Sequence, residues 1–235
     1  MKSALFRAGL RGYASHDWLT THHSFSFASY YEPKRMGFGA LRVLNDDVIA
    51  PGTGFGRHHH DNMEIITIPL AGALRHEDSM GNGAVITPGE VQVMSAGTGV
   101  EHAEFNASTV EPLSLLQIWI ESARHDIAPR YDQKRFDPKQ YHNTFFEVVG
   151  NVGSGELTIY QDAHLALARF DAGQEAVYPL HTPNHGVYFF VIAGAVTIAG
   201  VLLKERDALA VSATPGVTLH FEQATFLLAI EVPLV

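Results

Sequence analysis

Apolar and polar positions alternate along most of this chain in short runs, ALRVLNDDVI, MEIITIPL, GEVQVMSA and LSLLQIWIE among them, each bounded by glycine, proline, asparagine or aspartate. Alternation with a period of two, broken by turn residues about every 8–12 positions, is the pattern of β-strands with one buried face. No stretch carries a long amphipathic helical pattern. A second series of such runs begins near residue 146 with FFEVVG and ends with TFLLAIEVP. Between the two lies RHDIAPRYDQKRFDPKQYHN, charged and punctuated by proline, which reads as a linker with at most a short helical turn. The expected fold is therefore all-β, with a boundary near 140 separating residues 1–140 from 141–235. ALRVLNDDVI itself predicts a hairpin turning at Asn45 to Asp47. Trp18, Phe25 and Phe27 are expected in the core.

An internal repeat supports two copies of one barrel unit. LAGAL at 70–74 matches IAGAV at 192–196, and VMSAGTGVEHAEF resembles AVSATPGVTLHFE later in each half. Strands that close into barrels or sandwiches are the usual way to bury such faces.

Composition narrows the chemistry. The 235 residues are 46% hydrophobic, with no run near the roughly 18 apolar residues of a membrane span. The opening MKSALFRAGLRGYAS lacks the apolar region of a secretory signal, so a cytoplasmic protein is expected. A formal charge of −9 without a basic cluster speaks against nucleic acid as a direct partner. Cysteine is absent while histidine numbers 14, so any metal must be held by nitrogen and oxygen.

The histidines of FGRHHHDNME acquire a meaning only in a strand. There, residues two apart share a face at roughly 6.5–7 Å along the chain, whereas a helix would point them in opposing directions. His58 and His60 then form a chelating pair, with Glu64 a further candidate on the same face, and His59 points outward. In GTGVEHAEFN, His102 and Glu104 form a second same-face pair after a glycine-rich turn. If the two strands are neighbours in one barrel, three imidazoles and a carboxylate meet, a donor set for a divalent first-row cation with positions left for water or substrate. Glu64 is expected behind the ligands, orienting an imidazole. His76, Glu77 and Asp78 read as a polar turn, and His22 and His23 as packing or pocket residues.

The segments GFGRHHHDNMEIIT, HEDSMGNGAVITPGEVQVMSAGTGVEHAEFN and LLQIWI together resemble the pirin family of two-barrel cupins, in its bacterial branch with quercetin 2,3-dioxygenase activity. The resemblance covers nearly the whole chain and implies two cupin barrels in tandem, with one mononuclear metal in the first. Its ligands map onto His58, His60, His102 and Glu104. The implied ion is Fe(II), with Mn, Co, Ni, Cu or Zn as alternatives. The implied partners are a small aromatic or enol substrate and O2, with Glu104 as catalytic base and oxidative opening of a flavonol ring as the reaction. Many relatives have proline where this chain has His59. The family also contains proteins described as partners of transcription regulators, so a non-enzymatic, redox-responsive role and a cupin enzyme for another small molecule are the alternatives.

The second half does not repeat the ligand pattern. Matching the glycines puts Leu180 and Thr182, or His181 and Pro183, where the first pair stands. A second site from His181, His185, His220 and Glu222 is conceivable, but the expectation is a metal-free C-terminal barrel in a monomeric protein.

Overall fold

The computed structural model describes residues 1–234. Their strands form two seven-stranded and two four-stranded sheets, one large and one small sheet in each half. In the first half, the large sheet runs in spatial order Arg130–Arg135, Glu90–Ser95, Met63–Ala71, Leu113–Glu121, Leu41–Ile49, Leu19–His23 and Gly12–Ser15. The small sheet facing it is Gly54–His60, Val100–Asn106, Leu74–Asp78 and Gly83–Ile86. The second half repeats the plan with His185–Ala193, Thr225–Pro233 and His164–Phe170 at the centre of its large sheet, and with Glu175–Pro179, Gly216–His220, Ala195–Ile198 and Val201–Lys204 opposite. The repeat is visible in the backbone. Gly72 and Gly194 both take positive φ, +78° and +90°, and a Cβ on either would lie 2.7 or 2.3 Å from a carbonyl oxygen, of Pro112 or of Ala224. Only glycine fits that crossing.

Strand parity decides what each face does. On Leu113–Glu121, residues Leu116, Ile118 and Ile120 point into a core shared by both large sheets, where they meet Leu165, Tyr188, Leu228 and Ile230. Gln117 and Trp119, on the other face, line a cavity inside the first barrel. In the second barrel the corresponding interior is filled by Phe170, Val187, Phe189, Val191, Leu227 and neighbours, all apolar.

Three expectations change. Leu41–Ile49 is one continuous strand, with no hairpin at Asn45 to Asp47. Those polar residues are buried because Asn45 and Asp47 face the cavity, while Asp46 takes ion pairs from Arg11 at 3.1 Å and Arg206 at 3.2 Å. The charged segment after residue 124 is not merely a linker, since Arg130–Arg135 pairs with Glu90–Ser95 and extends the first sheet. Its short helical turn is the 3-10 turn Pro138–Tyr141, capped by Asp137. Finally, Lys2–Phe6 joins the second half's sheet by pairing with Ala208–Ser212, although it begins the chain. Arg7 anchors that crossing on Asp207 at 2.7 Å.

Candidate metal centre

Two strands of the small sheet bring the histidines together. Register pairs His102 with His58 and Val100 with His60, and then slips between His102 and Glu104, so that Glu104 stands opposite Phe55. A slip of this kind bends a strand and re-aims a side chain. One ligand atom from each of His58, His60 and His102 lies within 4.8 Å of the other two. The rings are splayed, at 82° between His58 and His60, 71° between His60 and His102 and 55° between His58 and His102, with centroids 4.4 to 4.8 Å apart. Such rings converge edge-on toward one point instead of stacking. His58 Nδ1 donates to the Gly56 carbonyl at 2.8 Å, which fixes its tautomer and leaves Nε2 as a donor pair.

His102 is 1% exposed, and neither of its ring nitrogens has a hydrogen-bond partner. An imidazole buried in that state has lost its water without compensation, a cost that a coordinated cation removes. Burial first, and then the neighbouring imidazoles, push His102 down to about 2 and His60 down to about 4, so both rings are neutral at physiological pH. Glu104, 3% exposed, moves the other way: burial raises it to about 7 against the hydrogen bond from Gln117. Gln117 Nε2 donates to Glu104 Oε2 at 2.9 Å, and Thr67 Oγ1 lies 3.4 Å from Oε1. Glu104 groups with His102 and His76, its ligand atom within 4.8 Å of theirs. The imidazoles are neutral and burial disfavours the carboxylate anion, so the site lacks positive charge that a divalent cation would supply. The three imidazoles fit such an ion; Glu104 reaches His102 and His76, and is not grouped with His58 and His60.

His76 was read as part of a polar turn, but it lies on Leu74–Asp78, wholly buried. Gln92 donates to its Nδ1 at 3.1 Å, Asp78 lies 3.4 Å from Nε2, and Tyr131 stacks on its face at 4.9 Å. The signal was the alternation Leu74, His76, Asp78, which puts all three on the inner face. His59 is outward as expected, with a side chain 56% exposed and Asp61 3.6 Å away. Glu64 contacts no imidazole; it lies beyond a break at Asn62, whose φ is +44°, and it accepts from Ser95, Ser122 and the Tyr160 backbone.

A cavity of about 150 Å³ opens beside the histidines, walled by Phe27, Phe55, Trp119, Asn45, Asp47 and Gln117. Phe27 is thus a cavity wall instead of a core residue, whereas Phe25 sits in the core between the barrels and half-buried Trp18 packs edge-on against Phe55 at 4.9 Å. His23 reaches toward the site through Asn45, its Nδ1 donating to the amide oxygen at 2.9 Å.

In the second barrel, register makes Ala176, Tyr178, Leu219 and Phe221 the counterparts of His58, His60, His102 and Glu104. All four belong to its apolar interior. His220 and Glu222 lie on the exposed face, engaged with Glu175 and Thr197. His181 and His185 sit instead at the mouth of the barrel with His164, Glu147, Asp162 and Glu231. There the rings of His164 and His181 stack at 4.2 Å and 11°. The His181 side chain donates to Glu231 at 2.8 Å; that hydrogen bond raises its pKa, despite burial. Burial alone would raise Glu231, but the His181 side chain and the backbone N–H groups of His181 and Thr182 bring it below its usual 4.5. A raised histidine stabilises fully below its unfolded value and loses that contribution as pH rises through the folded one; a lowered carboxylate loses its contribution as pH falls. The His181→Gln variant is therefore expected to lower the melting temperature more at about pH 5.5 than at about pH 9. Melting curves at the two pH values check this, and an equal loss at both would contradict it.

Three converging histidines, His102 buried and His58 and His60 partly buried at the wall of a cavity, in the first of two repeated barrels, define the chain as a two-barrel cupin. The chain belongs to the pirin family, matching Pirin over residues 7–120 and the quercetinase C-terminal cupin domain over 148–232. It is 42% identical over 229 residues to quercetin 2,3-dioxygenase of Escherichia coli K12, covering 97% of this chain and 98% of that one. A pirin-like protein of Caulobacter vibrioides is likewise 42% identical, over 88% of this chain and 90% of the relative. Among solved structures, YhhW from Escherichia coli superposes with a TM-score of 0.95 at 41% identity, covering 100% of this chain and 99% of that one, and its complex with nickel(II) with 0.94 at 40%, over the whole of both chains. No helix among the described residues is long and apolar enough to cross a membrane.

Proposed function

We propose that the chain is a metal-dependent dioxygenase of the pirin type that opens the central ring of a flavonol such as quercetin with O2. The observation that carries this reading is the splayed trio His58, His60 and His102, with both nitrogens of buried His102 unpartnered, at the wall of a cavity lined by aromatic rings. The relatives support the same reading: the match to a quercetin 2,3-dioxygenase spans 97% of this chain. The proposed ligands of one divalent cation are His58, His60, His102 and Glu104. Fe(II) is the proposed ion; nickel in the related complex and the nitrogen and oxygen donors themselves are compatible with other first-row ions.

When bound, the ion supplies Lewis acidity that lowers the pKa of a coordinated hydroxyl. The protein's own groups do the rest. Glu104 lines the cavity beside His58 and His60 and is the carboxylate placed to take the proton of the substrate's 3-hydroxyl as general base. Gln117 and Thr67 hold its two oxygens in place. Phe27, Phe55 and Trp119 flank the flat ring system and keep water from the anion. The substrate gains both atoms of O2 and loses one carbon as carbon monoxide. The second barrel, closed by Ala176, Tyr178, Leu219 and Phe221, is assigned a structural role without a metal, with residues 1–140 and 141–235 as the two units apart from the exchanged strand Lys2–Phe6.

The test is direct. Protein purified without a chelating column should contain one metal per chain by elemental analysis, bleach the visible absorbance of quercetin and consume O2 in equal amount. A fully loaded preparation that leaves both unchanged sinks the reading.

A further inference from the structure

The cavity at the histidines does not end there. A second chamber, of about 170 Å³, shares four wall residues with it: Phe27, Phe55, Asn45 and Asp47. These four form a throat. Beyond it the outer chamber is bounded by Leu19, Thr21 and His23, and it reaches the surface beside His16, Ala28 and Ser29, all three exposed. The throat is apolar on two sides and polar on the others. Asn45 has its carbonyl taken by His23 Nδ1–H at 2.9 Å, which leaves its amide as a donor. Asp47 is 3% exposed, and its Oδ1 has no hydrogen-bond partner. An unpartnered carboxyl oxygen in a cavity wall is costly unless something in the cavity meets it.

Resting on the flavonol reading above, we propose that the outer chamber is a subsite for a second, hydroxylated aromatic ring of the substrate, and that Asp47 and Asn45 read a hydroxyl on it. A phenolic hydroxyl both donates and accepts, and the throat offers one acceptor and one donor at adjacent inward positions of a single strand. Phe27 and Phe55 line both chambers, so a flat ligand passing the throat keeps aromatic contact along its length. A ligand with a single ring system fills only the inner chamber. Asp47 and Asn45 act as specificity residues; nothing in their position requires them to touch the reacting carbon.

Three probes of increasing reach separate the chambers: 3-hydroxychromone, which lacks the pendant ring; 3-hydroxyflavone, which has it bare; and quercetin, in which it carries two hydroxyls. Binding to metal-loaded protein is followed calorimetrically and by the fluorescence of the chain's two tryptophans, Trp18 beside Phe55 and Trp119 on the inner wall. In the wild type, affinity is expected to rise along the series. Asp47→Leu is expected to cut the preference for quercetin over 3-hydroxyflavone by roughly tenfold to a hundredfold, the usual effect of leaving a substrate hydroxyl unmet in a site built to bond it. Asp47→Asn, which keeps an acceptor, is expected to restore most of it. Ala14→Tyr, which fills the outer chamber, is expected to reduce the preference for either flavonol over 3-hydroxychromone. Metal content and melting temperature show that the variants are intact. If the wild type binds flavonols but Asp47→Leu and Ala14→Tyr leave all preferences unchanged, the subsite is wrong and the dioxygenase reading stands. If the wild type binds and turns over none of the three, that reading falls and takes the subsite with it.

Discussion

His102→Leu is expected to leave the protein without metal and to lower kcat/KM for quercetin at least about a thousandfold, since the proposed chemistry depends on the cation that His102 helps to hold. The same substitution is expected not to destabilise the metal-free protein. In that state both nitrogens of His102 are buried without partners, and each such group costs about 1–3 kcal/mol, while leucine of similar bulk has none to satisfy. Adding metal reverses the order: at 100-fold to 1,000-fold excess over Kd, binding stabilises the wild type by about 3–4 kcal/mol and the variant not at all. Acid gives an independent check. Burial holds folded His102 down at about 2, far below the usual 6.5, so the unfolded chain takes up the proton first, and metal-free wild type loses stability as pH falls below about 6.5. The leucine variant lacks that part of the slope. Melting curves of both proteins, with chelator and with added metal, read all of this; a variant that keeps its metal, or that is the less stable of the two with chelator present, refutes the assignment.

The convergence of His58, His60 and His102 was legible because strand parity alone puts them on inner faces. His58 and His60 alternate with an exposed neighbour, and His102 stands two residues from Glu104, so a period of two is enough to identify the faces. The repeat was legible through Gly72 and Gly194, whose backbone no other residue adopts readily. The failures share a cause. Asn45, Asp46 and Asp47 carry turn composition, yet a strand that lines a cavity has the same composition for another reason. Asp78 does organise the turn after it, accepting from the Met80 and Asn82 backbone, whereas His76 is buried within the strand. Polar residues mark a turn when water satisfies them and a site when other side chains do; sequence composition does not distinguish these cases.

Pairings across long stretches of chain were illegible for a different reason. Nothing in KSALF says that it will pair with Ala208–Ser212, because any strand with a suitable face could, and the partner is chosen by tertiary packing of Phe6 against Phe25 and Tyr188. The apolar interior of the second barrel was anticipated in outcome but not in register. Matching glycines put the corresponding positions at Leu180 and Thr182, whereas strand pairing puts them at Ala176 and Tyr178, because the loop that follows the strand is longer in the second half, 180–184 against 61–62.

Glu64→Leu is expected to destabilise the protein by about 1–3 kcal/mol for each buried donor it leaves unmet. The carboxylate, wholly buried, gathers Ser95 Oγ at 2.5 Å, Ser122 Oγ at 2.7 Å and, from the second half of the chain, the Tyr160 backbone N–H at 3.2 Å. Its loss does not fall equally on the three. Ser122 can turn to the Arg124 carbonyl 2.9 Å away, but the Tyr160 N–H is fixed by its backbone. That segment is clamped on either side, its ring lying 5.4 and 5.6 Å from the guanidinium carbons of Arg124 and Arg130, with Gln161 donating to the Glu121 carbonyl at 2.8 Å. Glu64 is therefore a tie between the barrels. Glu64→Gln keeps one acceptor oxygen for the backbone donor and is expected to cost only about 1 kcal/mol, the worth of one ordinary hydrogen bond. Urea unfolding measures both, as a shift of midpoint within a single transition, because the two large sheets share one core and separate only together. Metal affinity distinguishes this tie from the role of orienting an imidazole: Glu64→Gln should bind metal as the wild type does, and a tenfold or greater loss of affinity would show that the carboxylate acts on the ligands after all.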